Sequence, residues 1–161
     1  MSLKDELGLR HDFKNRAHET LLHVYYTAAK AQKKADEFFR AHGLTDVQFN
    51  VMMLLLNQSG ESGGLTQVEL SRMMLVNRAN ITTLIDRMEK AKLVMRVPDP
   101  EDRRYNIVKI TAHGEKLFRK AAAVYHDKVR SIVSGLRESE QKDLAALLTR
   151  LRARIDSLSI D

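Results

Sequence analysis

The middle of the chain, from Leu65 to Thr111, constrains the fold more than any other stretch. Two short helical patterns come first, and a tight polar turn joins them. Two β-rich segments follow, Val94–Val97 and Tyr105–Ile110, and the prolines at 98 and 100 exclude helix from the loop between them. The predicted order is therefore helix, turn, helix, strand, loop, strand.

Capping residues mark where the helices of this region begin. Thr66 and Glu69 have the spacing of a capping box, which opens the first of the two helices. Asn77 is a good N-cap for the second, which is predicted to run to about Lys92. The face of this second helix predicted to point at the core carries Ile81, Leu84, Ile85 and Met88.

Longer helical patterns flank the middle region, while residues 1–12 are polar and expected to be frayed. A helical period runs from Phe13 to Arg40, and Gly43 ends it. A further helix, with Thr45 and Gln48 in capping-box register, leads into the middle region. Near the C-terminus Thr111 opens a long helix, and Ser139 is expected to cap the last one.

The apolar stripes of the terminal helices need a partner surface. The last helix alone presents Leu144, Leu147, Leu148, Leu151, Ile155 and Leu158. A symmetric dimer made from the two chain ends would cover these stripes, and a self-contained bundle is the alternative. We favour the dimer, and the predicted fold is mainly α with a small β-wing.

The charge of the chain favours a polyanionic partner. Its formal net charge is +6 and its pI is about 9.6, which indicates nucleic acid first and an anionic membrane surface second. Nine basic and five acidic residues between Arg72 and Lys109 leave an excess of +4 in that segment. Because a helix fits the major groove and a basic loop beside it can reach the minor groove, we expect double-stranded DNA as the partner.

Several classes of protein are disfavoured by what the sequence lacks. It has no cysteine, no apolar run approaching the roughly 18 residues of a membrane span, and no apolar signal-peptide core, so we expect a cytoplasmic protein without membrane contact. It also has no nucleophile elbow, Walker loop or dinucleotide fingerprint, so we expect no enzyme and no cofactor. The six histidines show no tight ligand spacing, and no metal site is predicted.

The sequence contains the two stretches LTQVELSRMMLVNRANITTLIDRMEKAKLVMR and DPEDRRYNIVKITAHGEKL. Together they resemble the MarR (multiple antibiotic resistance regulator) family of winged helix-turn-helix transcription factors. Asp102-Arg103-Arg104 is the most specific element of the resemblance. It implies a homodimer with an N-terminal dimerisation helix in 1–44, a winged helix-turn-helix in 45–111 and C-terminal dimerisation helices in 112–161. It also implies a recognition helix that starts at Asn77 and a wing at Pro98–Tyr105 with Arg104 in the minor groove.

The sequence departs from the family pattern at two places. Lys92 stands where a glycine usually precedes the first strand, at a cost if the backbone there is left-handed. Asn77 and Asn80 stand where Ser and Thr are common, so the operator sequence cannot be borrowed from relatives.

The resemblance and the residue chemistry together predict how DNA is read. Arg78 suits guanine O6 and N7, and Asn80 suits adenine N6 and N7. The full predicted DNA-binding set is Thr66, Gln67, Asn77, Arg78, Asn80, Thr82, Thr83, Arg87, Arg103 and Arg104. Asn77 is better explained as a cap, and a solvated helix face explains Arg87 equally well. For Asp102 we favour bracing a wing arginine over capping the loop.

Regulation is also predicted from the resemblance. The family commonly senses small, often aromatic anions between the dimer lobe and the DNA-binding lobe, so we expect a repressor of a pseudo-palindromic operator that such a ligand releases. The candidate lining residues are His23, Tyr25, Tyr26, Phe49, Met52 and Met53, although packed core is the commoner role for each. The alternatives are a dimeric winged-helix adaptor that binds protein rather than DNA, and a metal-responsive regulator. The adaptor does not explain arginines at both the helix and the wing.

Overall fold

The computed structural model describes residues 2–74, 78–99 and 105–159, and in these ranges the chain forms seven helices and one small sheet. The elements are α1 Leu3–Leu7, α2 Arg16–Ala41, α3 Asp46–Gln58, β1 Leu65–Thr66, α4 Gln67–Met73, α5 Arg78–Lys90, β2 Val94–Pro98, β3 Asn106–Ile110, α6 Ala112–Val133 and α7 Glu138–Asp156. The predicted mainly α fold with a β-wing is confirmed. No helix in the described ranges has both the length and the apolarity needed to cross a bilayer.

The chain divides into two compact units, Met1–Phe118 and Arg119–Asp161, and α6 runs from the first into the second. The first unit holds the helix-turn-helix pair α4 and α5 together with the whole sheet. The second unit contains the rest of α6 and all of α7. The division expected from the resemblance, at residues 44 and 111, stays a prediction.

The sheet is antiparallel with the strand order β1-β3-β2, so β3 lies in the centre. The predicted hairpin is present, with Val94 opposite Ile110 and Pro98 opposite Asn106. β1 was missed by the sequence analysis, because two residues are too few to show an alternating pattern. Since β1 ends where α4 begins, this short strand attaches the helix-turn-helix to the sheet.

The core of the first unit packs α3, α4 and α5 against the sheet. Of the predicted inner face of α5, Ile81, Ile85 and Met88 are fully buried, whereas Leu84 is only half-buried. α4 is too short to have a broad apolar face, and only Leu70 of its apolar residues is buried, whereas Val68 is exposed. The largest fully buried side chains are Phe49, Met52, Leu70, Ile81, Ile85, Met88, Ile107, Val51, Val94 and Val108.

Helix starts at both ends of the chain differ from the prediction. Leu3–Leu7 form a helix, α1, where fraying was expected: Ser2 and Asp5 form the capping box that opens it, and Leu3 is buried. At the other end Ser139 is not the N-cap of α7. The helix begins two residues earlier, after Arg137, whose backbone N–H donates to the Glu140 carboxylate at 2.8 Å.

Candidate nucleic-acid interface

The start of α4 is fixed by the predicted capping box, which is confirmed. The Thr66 hydroxyl accepts a hydrogen bond from the Glu69 backbone N–H at 3.2 Å. In return the Glu69 carboxylate accepts from both the backbone N–H and the hydroxyl of Thr66, each at 2.8 Å. Both donors of Thr66 are therefore used within the protein, and a phosphate contact from Thr66 would have to replace a bond to Glu69.

A hydrogen bond between predicted DNA-binding residues joins the two helices of the motif. The Thr82 hydroxyl on α5 donates to the Gln67 side-chain oxygen on α4 at 2.9 Å. Gln67 is half-buried and Thr82 is exposed. The oxygen of the Gln67 side-chain amide thus accepts the Thr82 hydroxyl proton, and the two N–H donors of the same amide are on its nitrogen.

The outer face of α5 carries the remaining predicted readers that the structure describes. Asn80, Thr83 and Arg87 are exposed on the side away from the buried Ile81 and Ile85. The Thr83 hydroxyl donates to the Ala79 carbonyl at 3.1 Å, so its proton is satisfied within the helix.

Other predicted readers fall where the structure gives no side-chain description. Arg78 begins α5, but its side chain is not described. Asn77, Asp102, Arg103 and Arg104 lie outside the described residues.

A three-residue ionic cluster between α5 and β2 was missed by the sequence analysis. The Arg96 guanidinium on β2 donates to Asp86 Oδ1 and to Glu89 Oε2, each at 2.6 Å. The Arg96 backbone N–H donates to Glu89 Oε1 at 2.9 Å. Partial burial acts to lower the pKa of Arg96, but the hydrogen bonds to Asp86 and Glu89 outweigh it and raise that pKa above its ordinary value.

This cluster shows where the positive excess of the region lies. Arg96, Asp86 and Glu89 are all included in the excess of +4 between Arg72 and Lys109, and as a cluster they contribute −1 to it. The other eight basic and three acidic residues of the segment therefore carry +5. The available signal was the spacing of Asp86 and Glu89, which puts them on one helix face, followed by an arginine on the next strand.

The turn between α5 and β2 has a left-handed residue at Lys92, with φ of 57°. The Leu93 N–H donates to the Met88 carbonyl and the Lys92 N–H to the Glu89 carbonyl, both at 2.9 Å. These two bonds define a Schellman motif, whose left-handed position is usually glycine. The backbone cost anticipated for a lysine at this position therefore applies.

The same turn is held against the start of α6. The Thr111 hydroxyl donates to the Lys92 carbonyl at 2.6 Å and accepts from the Gly114 N–H at 3.0 Å. A Cβ on Gly114 would lie only 2.1 Å from the Leu93 carbonyl oxygen, so only glycine permits this approach. The end of α5, the start of β2 and the start of α6 thus meet at one tightly packed junction.

This helix-turn-helix with its attached hairpin matches known regulators. The sequence profile of the MarR family matches residues 42–104. The HTH-type transcriptional regulator YsmB of Bacillus subtilis is 30% identical over 122 residues, which cover 76% of this chain and 79% of YsmB. The chain belongs to the MarR family. The family assignment made from sequence is therefore confirmed, and the chain is a transcriptional regulator rather than an enzyme.

Two further comparisons extend over most of this MarR-family chain. The B. subtilis HTH-type transcriptional regulator YkoM is 28% identical over 146 residues, covering 88% of this chain and 92% of YkoM. The crystal structure of a mutant of MarR from Escherichia coli, complexed with operator DNA, superposes with a TM-score of 0.77 at 23% identity. It covers 88% of this chain and 99% of that one, which establishes the shared fold.

A shallow cavity of about 360 Å³, open to solvent, lies in the first unit of this MarR-family chain, against α5. It is lined by Asp36, Thr45, Asp46, Val47, Asn80, Leu84 and Arg87. Residues of α2, α3 and α5 thus surround one space, and two predicted DNA-binding residues, Asn80 and Arg87, are on its wall.

None of the six residues proposed from sequence for a ligand crevice lines this cavity. Phe49 and Met52 are buried in the core, where the Phe49 ring packs against Phe39 and Phe118 at 4.6 and 4.7 Å between centroids. Met53 is half-buried, whereas His23 and Tyr25 are exposed.

Tyr26, the last of the six, donates its hydroxyl to the Glu6 carbonyl on α1 at 3.4 Å. The assignment of the six side chains to a ligand site stays a prediction. In the described part of the chain, no three His, Asp or Glu residues are placed to hold a metal ion.

Proposed function

We propose that this MarR-family regulator binds double-stranded operator DNA as a homodimer and represses transcription until a small ligand releases it. The observation that carries the proposal is the division of α5 into two faces. Ile81, Ile85 and Met88 anchor one face fully in the core, and Asn80 and Thr83 leave a polar face exposed for a DNA groove. The E. coli MarR structure of the same fold is complexed with operator DNA. We place the activity in the cytoplasm, where a regulator meets its DNA.

Charge and side-chain chemistry support the assignment of individual contacts. Arg78 and Asn80 are proposed to read base edges from the first turns of α5. Arg104, braced by Asp102, is proposed to enter the minor groove beside them, and Arg103 to contact the backbone. The net charge of +6 suits binding that weakens steeply as salt is added.

Exposed apolar side chains in the second unit support the dimer. Ile132 on α6 is 67% exposed, and on α7 Leu147 is 58% and Ile155 is 53% exposed. A row of exposed leucine and isoleucine side chains marks an interaction surface, since a lone soluble chain rarely leaves such a row in water. A two-fold dimer would present two copies of α5 to half-sites about 34 Å apart, one turn of DNA.

The cavity against α5 supports regulation by a small molecule. Its volume of about 360 Å³ lies within the range of roughly 300–1,000 Å³ found for small-molecule sites. A ligand there would touch Leu84 and Arg87 of the helix that is proposed to read DNA. Because both copies of α5 must match the spacing of the grooves, a small displacement of the helix would cost affinity.

Fluorescence anisotropy with the DNA upstream of the protein's own gene tests the proposal. Wild-type protein should prefer this duplex to a random duplex of the same length, and Arg78→Ala and Arg104→Ala should each weaken binding. Arg150→Ala, which removes one positive charge from α7 instead, should bind like wild type. Equal binding of both duplexes by the wild type, with no effect of the two arginine substitutions, would support the protein-binding adaptor instead.

A further inference from the structure

We propose that Arg96 is a positioning residue that fixes the recognition helix α5 against β2, the strand that leads into the predicted wing, so that helix and wing approach DNA in a fixed relative orientation. The inference rests on the proposed function, because it concerns how the same DNA surface is organised. It assigns a role to a residue that is absent from the predicted DNA contacts.

The contacts of Arg96 reach both the side chains and the backbone of the two elements. Its guanidinium bonds to Asp86 and Glu89, which are three residues apart on one face of α5. The same Glu89 accepts from the Arg96 backbone N–H, so one carboxylate holds both the side chain and the main chain of β2. An arginine fork with two carboxylate partners fixes an angle between elements in a way that a single point contact cannot.

The position of the contact makes it mechanically effective. α5 ends at Lys90 and β2 begins at Val94, so the two elements are already tied by the Lys92 turn. Apolar packing of α5 against the sheet adds contact between them, but such contact is non-directional. The Arg96 cluster adds directional hydrogen bonds to Glu89, within that turn, and to Asp86, six residues before Lys92, and these bonds restrict rotation of β2 about the turn.

Electrostatics argues against Arg96 as a DNA contact in its own right. Its side chain is 21% exposed, whereas the side chains of Asp86 and Glu89 are 50% and 40% exposed. The guanidinium is thus the inner member of the cluster, and its charge is already balanced by two carboxylates. The cluster leaves a local charge of −1 on a helix that is proposed to meet phosphates, which is unfavourable for binding unless the geometry it maintains compensates.

The test uses substitutions for which charge and positioning predict opposite results. Asp86→Asn combined with Glu89→Gln removes two negative charges from the recognition helix. If charge alone mattered, the double variant would bind operator DNA more tightly. If the cluster positions the wing, operator binding should fall about tenfold, the effect of losing hydrogen bonds to a charged group, while binding to a random duplex is retained or strengthened.

Arg96→Gln and Arg96→Lys complete the series. Arg96→Gln should lose operator affinity to a similar extent, and Arg96→Lys, which keeps the charge without the fork, should restore only part of it. Arg137→Gln is the matched control, since it breaks another arginine–glutamate pair, to Glu140 at 2.7 Å, in the second unit. It should leave the ratio of operator to random-duplex affinity unchanged. Circular dichroism and thermal unfolding establish that each variant is folded at the assay temperature.

The outcomes separate the two proposals. Wild-type protein that fails to distinguish operator from random duplex overturns the proposed function and the role of Arg96 with it. Wild-type discrimination that persists in the Asp86/Glu89 double variant overturns the role of Arg96 alone. Equal loss on both duplexes in Arg96→Gln, with a salt slope reduced by about one, would make Arg96 a phosphate contact instead.

Discussion

Replacing Lys92 with glycine should stabilise the protein, because Lys92 has a left-handed backbone with φ of 57°. An L-residue pays roughly 1–2 kcal/mol in this conformation. Glycine avoids that cost but loses about 0.5–1 kcal/mol more backbone entropy on folding. The net gain for Lys92→Gly is therefore about 0.5–1 kcal/mol, and a chain of this size should melt about 1–4 °C higher.

Lys90→Gly is a matched control for this prediction. It makes the same replacement and removes the same charge, but at the last residue of α5, where the backbone is helical. Glycine there should destabilise by up to about 1 kcal/mol. Differences in net charge cancel between the two variants, so the comparison isolates the backbone conformation.

Urea unfolding monitored by circular dichroism measures the stability of both variants. The measurements are made without DNA and at one protein concentration, because the stability of a dimer depends on concentration. The predicted order of midpoints is Lys92→Gly, then wild type, then Lys90→Gly. If Lys92→Gly were as destabilising as Lys90→Gly, the Schellman geometry assigned to the end of α5 would be refuted.

Three further predictions follow from local contacts. Gly114→Ala should destabilise by about 3 kcal/mol, the upper range for overpacking, because its Cβ would meet the Leu93 carbonyl; an unchanged urea midpoint would contradict this. Thr66→Ala should cost about 1 kcal/mol by removing the cap of α4, whereas Thr66→Ser should retain it, as unfolding measurements would show. The hydrogen bond from Lys30 lowers the pKa of Glu6 below its ordinary value of 4.5. This pair should therefore stabilise α1 fully at pH values above 4.5, and the stabilisation should be lost as the pH falls through the lowered pKa. Hydrogen exchange of α1 should then accelerate in acid for wild type but show little such change for Lys30→Gln.

The features that sequence predicted well depend on residues near one another in the chain. The capping boxes at Thr45 and Thr66 each need only two residues at fixed spacing, and both are present. The inner face of α5 follows from its helical period, and Ile81 and Ile85 are buried as expected. These capping and periodicity signals are local in sequence, and tertiary packing does not override them in this protein.

The features that sequence missed depend on contacts between different secondary-structure elements. β1 exists because Leu65 and Thr66 pair with Val108 and Ile107, which no local pattern reveals. The Arg96 cluster needs the turn at Lys92 to bring a strand back against its own helix.

Aromatic residues illustrate a third difficulty. Phe49 is an aromatic residue of the kind that often lines ligand pockets, but in the structure it packs between Phe39 and Phe118. An apolar side chain suits a core and a pocket equally well, and only the three-dimensional arrangement distinguishes them.

Binding of the purified protein to the duplex upstream of its own gene, with the number of protomers per duplex measured at several salt concentrations, tests the central claim most directly. The account predicts two protomers on a pseudo-palindromic site and an affinity that falls steeply as salt rises. A single protomer per site, or no preference over random duplex even at low salt, would contradict it.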